Sequence, residues 1–296
     1  MLSIPQTKYP DWSRFLSAVW RHGMSVNNID KDKLNYHLQR AYPNILEAFT
    51  QRSESSVVRP SAFLACARQV YIKNVERIAP EPMPDNIGST FAIGHLLHEI
   101  SYAAMNSAMP EGFQVHTELP VALPEWWPKN KLQFNQDGHV DMFVEITDED
   151  KAGEFLPADV VEEQPKMLVD FKTMGSYSYK KHSKTDYSTA VDGFGYLSQL
   201  AVYADSLGVI GNGAILAGIN RDSLTMPLMP RYIAPSVLMR ELERVKHAFD
   251  YAEKGVDPQA EFLIRHGSQA NFYCGRGGQK GYCPFKKHCK KLDDKA

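Results

Sequence analysis

The chain has 296 residues, 43% of them hydrophobic, and a formal net charge of −2 at pH 7. That composition supplies enough apolar residues for one large core or two modest ones, and no global basic field, so any nucleic-acid site has to be a local patch. Met1-Leu2-Ser3-Ile4-Pro5-Gln6 lacks a basic region followed by an apolar run, and no stretch of about 18 apolar residues occurs, so the expectation is no signal peptide, no membrane span and a cytoplasmic location.

Residues 1–58 read as a helical N-terminal extension. Trp12, Phe15, Leu16, Val19 and Trp20 recur at helical spacing and predict a buried face. Tyr42-Pro43-Asn44 predicts a break. The next segment runs Arg59-Pro60-Ser61-Ala62-Phe63-Leu64-Ala65-Cys66-Ala67-Arg68. With Ser61 as cap, a helix here puts Cys66 and Arg68 in its second turn. Alone, Cys66 reads as a buried thiol.

Residues 88–107 form the next predicted helix, with Gly94, His95, His98 and Glu99 among apolar neighbours. A single helix histidine is more often a hydrogen-bonded residue than a ligand. Residues 113–124 alternate as a strand, through Val115, Thr117, Leu119 and Val121. A second strand, 138–146, carries Asp141, and a third carries Met167-Leu168-Val169-Asp170-Phe171-Lys172-Thr173. Alternation puts Asp170 and Lys172 on one face of that strand and Phe171 on the other. The acidic stretch between these two strands, 148–165, reads as a solvated hairpin loop.

Residues 173–184 mix Tyr177, Tyr179, Lys180, Lys181, His182 and Lys184 in what reads as a polar loop. Phosphate contact and base stacking need such residues, although a plain flexible loop has the same composition. A helix from Gly195 follows, on which Tyr196, Gln199, Leu200 and Tyr203 share a face; a buried Gln199 there requires a partner. Residues 213–219 and 231–233 are short strand candidates, and 235–254 is an amphipathic helix. The tail from Asn271 is rich in Gly, Lys and Cys and poor in core formers. No Gly-x-x-x-x-Gly-Lys-Ser/Thr loop occurs, which argues against an intrinsic ATP motor. Four cysteines, Cys66, Cys274, Cys283 and Cys289, are few for a disulfide scaffold and suit a metal site or buried thiols.

Taken together, Gly94-x-x-x-His98, Gly138-x-x-Asp141, Asp170-Phe171-Lys172 and Gln199-x-x-x-Tyr203 occur in the order helix, strand, strand, helix. The set resembles the RecB-like branch of the PD-(D/E)xK nucleases over about residues 60–289. The resemblance implies an α/β fold with a restriction-endonuclease-like mixed sheet flanked by helices, in a nuclease domain spanning 59–296. It implies a metal-dependent DNA exonuclease of recombination, repair or end processing, phage-encoded or not, acting in the cytoplasm (a host's, if viral).

His98, Asp141, Asp170 and the backbone carbonyl of Phe171 would hold Mg²⁺ or Mn²⁺, two ions in all. Hard ions want oxygen ligands, and the imidazole favours Mn²⁺. Lys172 would orient the attacking water, and Gln199 and Tyr203 would support the site or position DNA. The implied partner is DNA, single-stranded or with ends. A homo-oligomer, a recombination or annealing protein as partner, a CRISPR spacer-acquisition nuclease and a non-catalytic DNA-binding scaffold stay open.

One cysteine before these motifs and three after resemble the iron–sulfur subgroup, which includes CRISPR-associated adaptation exonucleases, the AddB nuclease domain and viral exonucleases. That implies a [4Fe-4S] cluster on Cys66, Cys274, Cys283 and Cys289, with Zn²⁺ the alternative. The Cys283-x5-Cys289 spacing matches the subgroup, while Cys274-x8-Cys283 is longer than its usual two residues.

Overall fold

The structure is a computed structural model and describes residues 8–25, 28–50, 60, 64, 66–81, 87–128, 137–189, 195–223, 227–258 and 283–293. Its helices are α1 (Trp12–Gly23), α2 (Lys31–Thr50), α3 (Ala67–Asn74), α4 (Ile87–Ala108), α5 (Glu149–Ala152), α6 (Ala158–Glu163), α7 (Ser176–Lys184), α8 (Tyr196–Ser206), α9 (Pro235–Lys254) and α10 (Lys286–Asp293). The strands β1 (Phe113–Ala122), β2 (Asp137–Ile146), β3 (Lys166–Met174), β4 (Ala214–Asn220) and β5 (Leu228–Ile233) form one sheet in the order β1-β2-β3-β4-β5. Only the β3–β4 pairing is parallel, and α7 and α8 lie between those two strands in the chain. The fold is thus mixed α/β, a five-stranded mixed sheet between helices.

Alternation along the strands divides the core. Phe143, Leu168, Ala214 and Leu216 face one side, packed with Leu197, Leu200 and Tyr203 of α8 and Leu238, Leu242 and Val245 of α9. Met142, Val144, Val169, Phe171, Ile215 and Ala217 face the other, packed with α4 and with Trp12, Phe15, Leu16, Val19 and Trp20 of α1. The helical spacing of those α1 residues therefore reports a face buried in the same core as the sheet. Asp11 caps α1 by accepting from Arg14 N–H at 2.9 Å. No described helix is long and apolar enough to cross a membrane.

Four local expectations are corrected. Pro43 does not break the chain but lies inside α2. The carbonyl of Gln39, deprived of its helical donor, sits on an exposed stretch where water can serve it. Cys66 is not in a second helical turn but is the N-cap of α3, in an extended conformation. Residues 148–165 are not an open hairpin loop. Asp148 caps α5 through Lys151 N–H, and Ala152, Phe155, Leu156 and Val161 pack into the α1/α4 side of the core. Residues 176–184 are helical, pinned by His182. Its Nε2 donates to the Met229 carbonyl at 3.0 Å, its Nδ1 accepts from Tyr187 at 2.5 Å, and its ring packs where a Cβ on Gly218 would stand. Tyr177, Lys180, Lys181 and Lys184 remain exposed on this helix.

One buried ion pair ties the layers together behind α8. Arg244 pairs with Glu241 at 3.0 Å and donates to the Leu64 carbonyl at 2.5 Å and to the Ser198 hydroxyl. Leu64, two residues ahead of Cys66, is thereby linked through Arg244 to the helix that carries Gln199.

Candidate active site and cysteine site

The ladder between β2 and β3 ends at Met142↔Val169. Beyond it the Phe171 N–H donates at 2.7 Å to Asp141 Oδ2, a side-chain acceptor in place of the neighbouring strand. The strands part there, and a cleft of about 520 Å³ opens at the gap. Its walls include His98 from α4, Asp141 from β2, Phe171 and Lys172 from β3, and Gln199 and Tyr203 from α8. Six of the seven residues expected at the catalytic site thus share one cleft. The seventh, Asp170, is 2% exposed and lies beneath Lys172 rather than in the cleft wall.

The Lys172 ammonium organises this region. It donates to Asp170 Oδ1 at 2.9 Å and to Gln199 Oε1 at 3.1 Å, and it lies 5.2 Å from the centre of the Tyr196 ring. Buried Gln199 therefore has the partner its position demanded. Asp170 Oδ2 is 2.7 Å from the same ammonium but out of line for a hydrogen bond, so this buried oxygen lacks a directed donor. As the strand alternation required, Phe171 points to the other face, where its ring packs on His98 and Tyr102. His98 Nδ1 is 3.7 Å from Asp141 Oδ1.

Burial sets the charges. It raises both Asp141 and Asp170 to about 6, against the pull of Lys172. Burial, with Lys172 nearby, lowers His98 to about 4, which keeps the imidazole neutral and able to ligate. Burial also opposes the charge on Lys172, but Asp170 and Asp141 overcome it and hold its pKa above the usual lysine value. The Tyr203 hydroxyl is raised by burial and by the same two carboxylates. Gly138 makes room for Tyr203: a Cβ there would lie 2.5 Å from the ring.

Three residues of this site carried no motif in the sequence. Glu118 lines the cleft from β1, and Tyr102, one helical turn after His98, donates to Glu118 Oε1 at 2.7 Å. The Tyr102 hydroxyl also lies near enough to the Asp141 carboxylate to oppose, in small part, the upward push of burial on it. Glu99, also in the cleft wall, is paired with buried His37 of α2 at 2.7 Å. The spacing of Tyr102 from His98 was the available signal for Tyr102. The signal for Glu118 was an acid among the alternating residues of β1.

The donors suit a divalent cation in kind: an imidazole, two carboxylates and a buried carboxylate oxygen without a directed partner. Among the described residues no three or more His, Cys, Asp or Glu side chains converge on one point.

The described cysteines lie at or against α3, outside the cleft wall. Cys66 caps α3, Arg68 in its first turn donates to Cys289 Sγ at 3.3 Å, and Gln69 donates to Cys283 Sγ at 3.4 Å. Phe285 and Cys289 pack on Tyr71 and Ile72 of α3. Cys66, Cys283 and Cys289 are free thiols, and burial raises Cys283 above the usual thiol range. Cys274 lies outside the described residues.

No family model matches the chain, and no curated protein matches it. Among solved structures, the crystal structure of SSO0001 is 13% identical over 86% of this chain and 93% of its own, with a TM-score of 0.37. A likeness that low supports no statement about shared fold or chemistry.

Proposed function

We propose that this protein is a metal-dependent deoxyribonuclease of the RecB-like PD-(D/E)xK type, an exonuclease acting on DNA ends. The observation that carries the reading is Lys172. Its ammonium is held between Asp170 and Gln199 at the bottom of a cleft that also presents Asp141 and His98. A divalent ion, Mg²⁺ or Mn²⁺, would be held by Asp141, Asp170, His98 and the Phe171 carbonyl, and would supply Lewis-acid stabilisation of phosphate charge and an acidified water.

The chain's own groups do the rest. Lys172, kept protonated by two carboxylates, orients the attacking water and balances charge on the phosphate. Gln199 fixes the direction of the ammonium. The Phe171 N–H fixes the Asp141 carboxylate, and burial under α4 and α8 limits water. Tyr177, Lys180, Lys181 and Lys184, exposed on the helix that follows β3, give a basic and aromatic surface for strand contact.

The second cofactor is a [4Fe-4S] cluster on Cys66, Cys283 and Cys289 with Cys274. Arg68 and Gln69 donate to the sulfurs of Cys289 and Cys283, contacts that would persist to the sulfurs of a bound cluster.

The test is cleavage of 5′- and 3′-labelled single- and double-stranded DNA with Mg²⁺ and with Mn²⁺. Metal-dependent release of nucleotides from ends is expected. No cleavage of any of these substrates with either ion would defeat the proposal.

A further inference from the structure

The cleft is short of positive charge for a site that takes a polyanion. Among the described residues lining it, Lys172 is the one lysine or arginine, set against Glu99, Glu118, Asp137 and Asp141. Phosphates beyond the one being cut therefore need cations from elsewhere on the surface.

The sheet register brings such cations alongside. Lys172 of β3 pairs with Gly218 of β4, and paired residues of neighbouring strands turn their side chains to the same face. The ring of His182 fills that face of Gly218, where a Cβ would lie 2.8 Å from it. His182 thus stands on the Lys172 face of the sheet, one strand or about 5 Å across, and α7 stands there with it. Tyr177, Lys180, Lys181 and Lys184 fall at i, i+3, i+4 and i+7 of α7, one exposed stripe turned away from buried His182. Tyr177 is 81% exposed, and none of the three ammonium groups makes an ion pair among the described residues.

The stripe is carried by a helix fixed at both ends. Asp222 accepts from the Ser176 N–H at 2.6 Å at its start. Arg231 donates to the Ser183 and Thr185 carbonyls, each at 3.0 Å, at its end. Because Asp222 already closes the first turn, the anion-binding feature of α7 is its side-chain stripe and not its N-terminus. A ligand meets a preformed surface there, with little ordering left to do on binding.

We infer that α7 is an accessory site that holds an unpaired strand of nucleic acid outside the cleft. This rests on the proposed nuclease function and specifies which part of the substrate α7 takes. The lysines meet phosphates, and Tyr177 stacks on a base face, which a duplex keeps inside its own stack. From Tyr177 to Lys184 the stripe runs about 10 Å, room for about two or three phosphates.

The test is binding of fluorescein-labelled oligonucleotides by the whole protein in EDTA, followed by anisotropy over a range of salt concentrations. One DNA is an unpaired thymidine 12-mer and the other a blunt 12-base-pair duplex. The proteins are the wild type, Tyr177→Ala, Lys181→Gln with Lys184→Gln and, as a control for lost surface charge, Lys31→Gln with Lys254→Gln, exposed lysines of α2 and α9. The double α7 variant should bind the single strand about tenfold more weakly at low salt, with a salt slope smaller by about 1.4, two phosphate contacts. Tyr177→Ala should lose about tenfold on the single strand with its salt slope unchanged, and nothing on the duplex. The control should match the wild type. Wild-type affinity and slope in both α7 variants overturn the accessory site and leave the proposed nuclease standing, since cleavage is read separately with metal. A Tyr177→Ala loss as large on the duplex overturns the assignment of an unpaired strand. No binding of either DNA by the wild type at low salt overturns the site as well.

Discussion

Lys172 and Asp170, two residues apart on one strand face, form an ion pair at 2.7 Å in which the carboxylate is buried and the ammonium is its cover. Under the proposed function the pair serves stability and chemistry at once, and the two roles separate under substitution. Lys172→Ala strips a buried carboxylate of its counter-charge and should cost about 3 kcal/mol of metal-free stability. Asp170→Asn keeps the shape and an acceptor for Lys172 and should cost less. Both should lower DNA cleavage by about a hundredfold or more. Urea unfolding followed beside nuclease assays checks this; full cleavage by either variant would remove Lys172 and Asp170 from the chemistry.

The raised carboxylates give the proposed cation binding a pH dependence of defined direction. Asp141 and Asp170 each titrate at about 6, so below that pH a cation must displace protons, whereas neutral His98, at about 4, offers none in this range. Mn²⁺ binding should release protons at about pH 5.5 and release few at about pH 8, read by calorimetry in buffers of different ionisation enthalpy. In the metal-free protein the two carboxyls favour folding fully below about 4 and lose that contribution as pH rises through about 6. His98 works the other way, adding stability as pH rises from about 4 to 6.5. Asp141→Asn should therefore raise metal-free stability at neutral pH more than at acid pH. Equal gains at both would contradict the charge assignment.

Gly138 and Tyr203 are coupled by space. A methyl at Gly138 would press on the Tyr203 ring at 2.5 Å, so Gly138→Ala should destabilise by about 1–3 kcal/mol. Combined with Tyr203→Ala the two losses should fall short of their sum, because the ring that clashes is gone. Strict additivity in denaturation curves would mean that the contact does not matter.

The cysteine site predicts a colour. Protein prepared without oxygen should be brown, with broad absorbance near about 400 nm that dithionite bleaches. Cys289→Ser should lose that absorbance and melt lower, while losing proportionally less nuclease activity per folded molecule. A colourless anaerobic preparation holding stoichiometric zinc would replace iron–sulfur with zinc.

The elements with strong periodicity were legible in the sequence. β1 came from regular alternation, β2 and β3 from acids set among apolar neighbours, α9 from helical spacing, and the α1 face from its aromatic and aliphatic spacing. The sharing of a strand face by Asp170 and Lys172 followed from the two-residue period alone. Segments where a few apolar residues sit among charges were not legible. Phe155, Leu156 and Val161 are sparse within an acidic run, and only the core beneath them makes α5 and α6 fold down. His182 holds α7 through contacts with Tyr187 and Met229, and nothing local announces them. Glu118 showed in the sequence only as an acid among the alternating residues of β1, because its left-handed φ is a property of the folded backbone rather than of residue type. The burial of Asp170 under Lys172 likewise depends on where α8 lands.

The docking of α10 on α3 orders events in time. The contacts Gln69–Cys283, just ahead of α10, and Arg68–Cys289, within it, span 214 and 221 residues, so they close only after the sheet and α9 have left the ribosome. Until then Tyr71 and Ile72 wait uncovered by Phe285 and Cys289. The newly made chain therefore passes through a stage in which the cleft is built and the cysteine site is not. Loading of the proposed cluster competes with thiol oxidation in that interval, and the speed with which residues 283–293 return to α3 decides between them.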